Sequence, residues 1–149
     1  MDLGKRIQED LVLSMKNREE LRLGTLRMLK AAIQLAQVEK GKGKELTEEE
    51  ILALVQRLIK QRREASEQYL AHGVKDRADR ELEEVRILEG YMPEQLTDSE
   101  LEGLAREAVT AANAVGPRDM GKVMGLLMPK VKGKAEGGRV RETVARLLQ

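Results

Sequence analysis

Apolar residues along this chain recur at intervals of three and four, the spacing of one face of an α-helix. Leu3, Ile7, Leu11, Val12 and Met15 mark a first helix, with Asp2 placed to cap it. Leu26, Leu29, Ile33 and Ala36 mark a second over 19–38, with Gly24 inside it at a cost of about 1 kcal/mol relative to Ala. GKGK at 41–44 reads as a basic turn. Thr47 and Glu50 have capping-box spacing and open a third helix running to Ala71, on which Ile51, Val55, Leu58, Ala65 and Tyr69 share a face. Gly73 stands where a helix commonly leaves through a left-handed residue. Leu82, Val85, Leu88 and Met92 mark a fourth helix, closed by Pro93.

Thr97 with Glu100 repeats the capping box and opens a fifth helix carrying Leu101, Leu104, Ala108 and Ala112. Gly116-Pro117 is expected to stop it, because proline disfavours α geometry in the residue before it. Met120, Val123, Met124 and Leu127 then mark a short sixth helix ended by Pro129, and Val140, Val144, Leu147 and Leu148 a seventh opened by Gly137-Gly138. No stretch alternates at period two for long enough to predict a strand. The expected class is all-α, with a helical unit over 1–93 and a three-helix unit over 97–149.

Composition agrees with helices. The chain has two Tyr, no Phe and no Trp, so its core must be built from Leu, Val, Ile, Met and Ala. It has no Cys, which excludes disulfides and thiolate chemistry. The absence of a long apolar run or a signal-peptide pattern makes a cytoplasmic, non-membrane protein the expectation. Charge is distributed unevenly. Residues 117–149 hold eight Lys/Arg against three Asp/Glu, whereas the rest of the chain holds 19 against 23. A basic segment on an acidic body is the pattern of a protein whose one end meets a polyanion.

The basic segment also holds the most specific local pattern, GKVMGLLMPKVKGK from Gly121 to Lys134. Extended backbone after Pro129 would turn Lys130, Lys132 and Lys134 to one side, with Lys122 back along the helix. Together with the free amides at the start of the seventh helix these would favour an anion. Gly121 and Gly125, one turn apart, lower helix propensity by about 2 kcal/mol, which makes sense where a backbone must approach another helix or a phosphate closely. Gly133 and Arg139 complete the candidate nucleic-acid-binding set. A second basic candidate is Lys60, Arg62 and Arg63 on the third helix. Arg62 falls on that helix's apolar line, so it snorkels to the edge, pairs with a carboxylate across a helix interface, or binds something.

Catalysis has little to draw on. His72, the only histidine, sits at a helix end where it complements the dipole, and no serine has an evident base. No His/Cys metal site, P-loop or dinucleotide fingerprint is present, so no catalytic residue, metal or cofactor is expected. The carboxylates of Glu81, Glu83, Glu84 and Glu89 read as a solvated helix face. Without aromatic platforms, single-strand stacking is excluded, which leaves recognition of folded RNA by shape and phosphate.

The chain resembles the stand-alone YqeY-like proteins of the GatB/YqeY family. Thr25-Leu26-Arg27-Met28-Leu29 with Ala32-Ile33 looks like its early signature, and Lys60-Gln61-Arg62-Arg63, Ser66 and Tyr69 like a second run. Tyr91, Pro93 and Leu96 resemble its central boundary, and GKVM through LMPKVKG its most specific motif. The resemblance implies two different three-helical units joined by a partly helical linker. It implies for the tail a likeness to the C-terminal domain of the GatB component of the aspartyl/glutamyl-tRNA amidotransferase, which helps hold tRNA. The function it implies is a tRNA- or structured-RNA-binding accessory protein. The alternatives are a helical adaptor for an acidic protein partner and a participant in carbon–nitrogen ligation with glutamine as amide donor. Glu136 stands where that family commonly has Asp, and Glu is too long to cap the seventh helix.

Overall fold

The computed structural model describes residues 2–149. Among them the chain forms seven α-helices, one 3-10 turn and no strand, so the all-α class holds. It divides into two compact units, one running to Met92 and the other from Pro93 to Gln149.

In the first unit α1 spans Leu3–Lys16, α2 Glu20–Lys40, α3 Glu48–Ala71 and α4 Lys75–Glu89. Asp2 caps α1, its carboxylate accepting from the Lys5 amide at 2.8 Å. At α3 half of the expected box forms. Thr47 accepts from the Glu50 amide, but the Glu50 carboxylate turns to Lys40 Nζ at 2.6 Å and not to the Thr47 amide. That ammonium lowers the Glu50 carboxyl below its ordinary value. Gly73 leaves α3 at φ +74, and the chain turns straight back into α4. α3 and α4 thus form a helical hairpin, the most extensively paired helices among the described residues. Its Val55 and Leu88 are fully buried against Leu26 and Leu29 of α2.

The second unit packs α5 (Asp98–Ala111), α6 (Met120–Val131) and α7 (Gly137–Leu147) around Leu101, Ala105, Val123, Leu127, Val140 and Val144. The Thr97–Glu100 capping box is complete. Two proline expectations fail here. α5 stops at Ala111, well before Gly116-Pro117, because Asn113 adopts φ 52 and turns the chain. Pro117 instead opens the 3-10 turn Pro117–Asp119 that leads into α6. Pro129 does not end α6 either; the helix continues through it to Val131. A proline in a helix interior costs about 3 kcal/mol. Val131 continues the stripe of Val123 and Leu127 and is fully buried, a gain of roughly 1.5–3 kcal/mol. Near the helix end only one backbone bond is lost, and the carbonyl it frees, that of Gly125, belongs to an exposed residue that water can reach.

Candidate nucleic-acid interface

The continuation of α6 rearranges the lysine segment. Lys130 lies in the last helical turn, Lys132 is the cap at φ −56 and ψ 126, and Gly133 turns left-handed at φ +79. Lys134 and Ala135 then donate back to the Val131 carbonyl at 2.8 and 3.1 Å. The extended, alternating arrangement expected for Lys130, Lys132 and Lys134 does not form. They occupy a helix end and a tight turn.

That turn is anchored to the stretch over 93–97 that opens the unit. Leu96 donates to the Lys134 carbonyl at 2.9 Å, and Gln95 Nε2 to the carbonyls of Gly133 at 2.9 Å and Pro93 at 2.8 Å. Arg139 completes the anchor. Its Nη2 reaches the Leu96 carbonyl at 2.7 Å and Asp98 Oδ1 at 2.9 Å, and its Nε reaches the same oxygen at 3.1 Å. Arg139 therefore holds the turn in place and leaves the set of ligand-facing bases. Gly133 has a conformational role: only glycine adopts its φ without strain.

Lys122, Lys130, Lys132 and Lys134 are all exposed. No carboxylate among the described residues makes an ion pair with Lys122, Lys130 or Lys134, and Arg118 and Arg141, exposed bases of the same segment, are not singled out by the sequence pattern. Only charge counting could find those two. Arg146 lies 3.9 Å from Glu102 of α5, so the acidic helix of this unit takes up Arg139 and Arg146 and leaves the lysine end. At α7 the expected free N-terminus meets the chain's own carboxylate. Glu136 makes no capping hydrogen bond, as its length implies, yet Oε1 lies 3.3 Å from where a Cβ on Gly138 would stand. Gly121 and Gly125 are exposed, and a Cβ at either would meet nothing within 4 Å. Close packing against another helix of this chain is therefore not their reason.

The second basic candidate is dismantled by α4. Arg62 is buried at 9% exposure. Its Nε lies 3.2 Å from Glu84 Oε2, an ion pair without the alignment of a hydrogen bond, while Nη1 donates to the Leu58 carbonyl and Nη2 points at the Met28 sulfur. Of the three expectations for Arg62, pairing across a helix interface is the one realised. Arg63 Nη2 reaches Glu89 Oε2 at 3.3 Å, and Lys60 stays at the surface. Of the acidic residues of α4, Glu84 faces Arg62 of α3 and Glu89 pairs with Arg63 from the surface, while Glu83 stays on the solvated face. Burial, then the neighbouring Glu84 carboxylate, raises the Glu81 carboxyl above its usual value.

Beyond the place of Tyr91 in the central boundary motif and the rarity of tyrosine, nothing in the sequence signals one arrangement in the first unit. Tyr91 is buried, donates to Asp10 Oδ2 at 2.6 Å and lies under the Arg6 guanidinium at 4.9 Å. Arg6 also reaches the Gly90 carbonyl at 2.8 Å. Burial and then the Asp10 bond raise the phenol well above its ordinary value, which suits a clasp between α1 and the end of α4. His72 takes its helix-end role, Nδ1 lying 2.8 Å from the Gln68 carbonyl. No cluster of three metal-ligating side chains exists among the described residues, and no helix of theirs is long and apolar enough to cross a membrane.

An all-helical chain of two units, with an anchored basic turn on the second, is the class these observations define. The chain belongs to the Yqey-like protein family, whose pattern matches residues 4–148. Among curated proteins it is similar to "Altered inheritance of mitochondria protein 41, mitochondrial" of Pyrenophora tritici-repentis, 29% identical over 132 residues that cover 87% of this chain and 71% of the relative. The protein of the same name from Lachancea thermotolerans is 29% identical over 102 residues, 68% of this chain and 54% of that one.

Proposed function

We propose that this chain is an accessory RNA-binding protein, with tRNA as the species to test first, and that it performs no chemistry of its own. The observation that carries the reading is the set of exposed amines of one short segment: Lys122 in the first turn of α6, and Lys130 and Lys134, joined by Lys132, at the other end of that helix, where the turn is anchored by Gln95, Leu96 and Arg139. Anchoring matters because a preformed basic surface loses less conformational freedom on binding than a mobile one. The resemblance of the tail to that of a tRNA-dependent amidotransferase supports tRNA as the ligand. Exposed Gly121 and Gly125 fit close approach of a phosphate backbone to α6, beside Lys122.

Contacts to three or four phosphates would give a log–log salt slope of about −3, so fourfold more salt would weaken binding roughly sixtyfold. Filter retention of bulk tRNA by the wild type and by the Lys122→Glu/Lys130→Glu/Lys132→Glu/Lys134→Glu variant tests the reading. Strong retention at low salt by the wild type alone is expected. Equal retention by both, or none by either, defeats it.

A second reading, an adaptor for an acidic protein, is favoured by Val115 and Leu126, which are 92% and 44% exposed in the same unit. A partner captured by the wild type, insensitive to nuclease and lost on Leu126→Glu, would select it. Participation in glutamine-dependent amide formation predicts amide product on misacylated tRNA from the pure protein, and none is expected.

A further inference from the structure

The exposed side of α6 carries Gly121, Lys122, Gly125, Leu126, Pro129 and Lys130. Lys122, Leu126 and Lys130 form one row along the helix at four-residue spacing, and Gly121, Gly125 and Pro129 form the row beside it. None of these side chains can accept a hydrogen bond, because an ammonium only donates and the others are apolar or absent. Such a face attracts phosphates, but phosphates are the same in RNA and DNA. What separates the two is the ribose 2′-hydroxyl, which donates as well as accepts. Reading it as a donor takes an acceptor on the protein. A carboxylate in that place would repel the phosphates that the lysines attract; a neutral acceptor would not.

The backbone of α6 supplies a neutral one. Within a helix each carbonyl is taken by the amide four residues further on. Pro129 lies inside α6 and has no N–H, so the Gly125 carbonyl is without that partner. No side-chain or loop donor among the described residues takes its place. The open carbonyl sits in the middle of the helix, between Lys122 and Lys130, and not at its frayed end. Gly125 has no side chain to stand over it, and the space a Cβ would fill is empty to 4 Å, so a ligand can reach the backbone from that side.

We propose that Pro129 is a specificity-determining residue: by leaving the Gly125 carbonyl open on the lysine face, it provides the acceptor for a ribose 2′-hydroxyl and makes the face prefer RNA to DNA. The inference rests on the RNA-binding reading and adds the group recognised beside the phosphates. Its test compares a tRNA transcript with the same sequence built wholly from 2′-fluoro nucleotides, which keep the phosphates and the A-form sugar but have no hydroxyl proton to donate. The wild type should bind the ribose form about fivefold more tightly, the worth of one neutral hydrogen bond. Pro129→Ala returns an amide to the Gly125 carbonyl. It should bind both forms alike by weakening the ribose form alone, with an unchanged helical circular dichroism signal. Its salt slope should match that of the wild type, since no charge is removed. Pro129→Leu, which also restores the amide, should behave in the same way. A wild type that binds both forms equally, or variants that keep the preference, overturns the proposal and leaves the RNA-binding reading standing. So do variants that weaken both forms by the same factor, the mark of a residue that only shapes the turn. A wild type that retains neither form at low salt removes the RNA-binding reading, and the inference falls with it.

Discussion

Arg62 and Arg63 of α3 lie against Glu84 and Glu89 of α4, whereas Lys122, Lys130 and Lys134 on and after α6 have no carboxylate within ion-pair distance among the described residues. As letters, KQRR at 60–63 is the denser basic cluster. As charge presented to a ligand it is the weaker one, because a neighbouring helix of complementary sign neutralises it. The second unit also has an acidic helix, but α5 meets Arg139 and Arg146 and not the lysine end. Electrostatic function thus depends on which faces the fold brings together, and the two basic clusters of this chain come apart on that ground.

The largest expected effect of breaking the comparison is on stability. Arg62→Met leaves Glu84, whose side chain keeps 18% of its exposure, without its cation. Stranding a charge in this way costs about 3 kcal/mol, the low end for a buried pair, because some solvent contact survives. The denaturation midpoint should fall accordingly, and adding Glu84→Gln should recover much of the loss. Lys122→Met on the exposed side of α6 should by contrast change stability by no more than about 0.5 kcal/mol. Equal losses in the two variants would erase the distinction.

Arg139→Ala comes next. It removes the bonds to Asp98 and the Leu96 carbonyl and should cost about 1–2 kcal/mol by denaturation, with faster amide exchange at Lys134 and Ala135. Unchanged exchange there would mean that Arg139 does not anchor the turn.

Smallest is a pH effect in the first unit. The native state holds the Glu81 proton more tightly than the unfolded chain does. Its contribution is therefore fully present below the unfolded-state value and is lost as pH rises through the raised native one. Glu81→Gln should leave stability alike in acid and raise it slightly near neutrality. A variant less stable than the wild type at neutral pH would reverse the sign assigned to that site.

Much of the fold was legible because every helix carries an apolar stripe of helical period, and Asp2, Thr47 and Thr97 cap where their side chains predict. The misreadings gather at prolines. By local rules alone Pro129 ends α6, but the buried Val131 beyond it outweighs a single lost backbone bond. The site was legible only as composition. Nothing in the spacing shows that Arg139 faces Asp98 across 41 positions, or that Glu84 faces Arg62, because such pairings are decided by packing between elements. Arg62 was the informative exception: a cation on an apolar line announces a partner without naming it.

The most direct test compares the salt dependence of tRNA binding in three chains: the wild type, Lys60→Glu/Arg63→Glu, and Lys122→Glu/Lys130→Glu/Lys134→Glu. A log–log slope of about −3 is expected for the wild type and for the α3 variant. The second-unit variant should show a slope near zero with little residual binding. A flattened slope in the α3 variant with an undiminished one in the second-unit variant would contradict the assignment of RNA binding to the lysine turn.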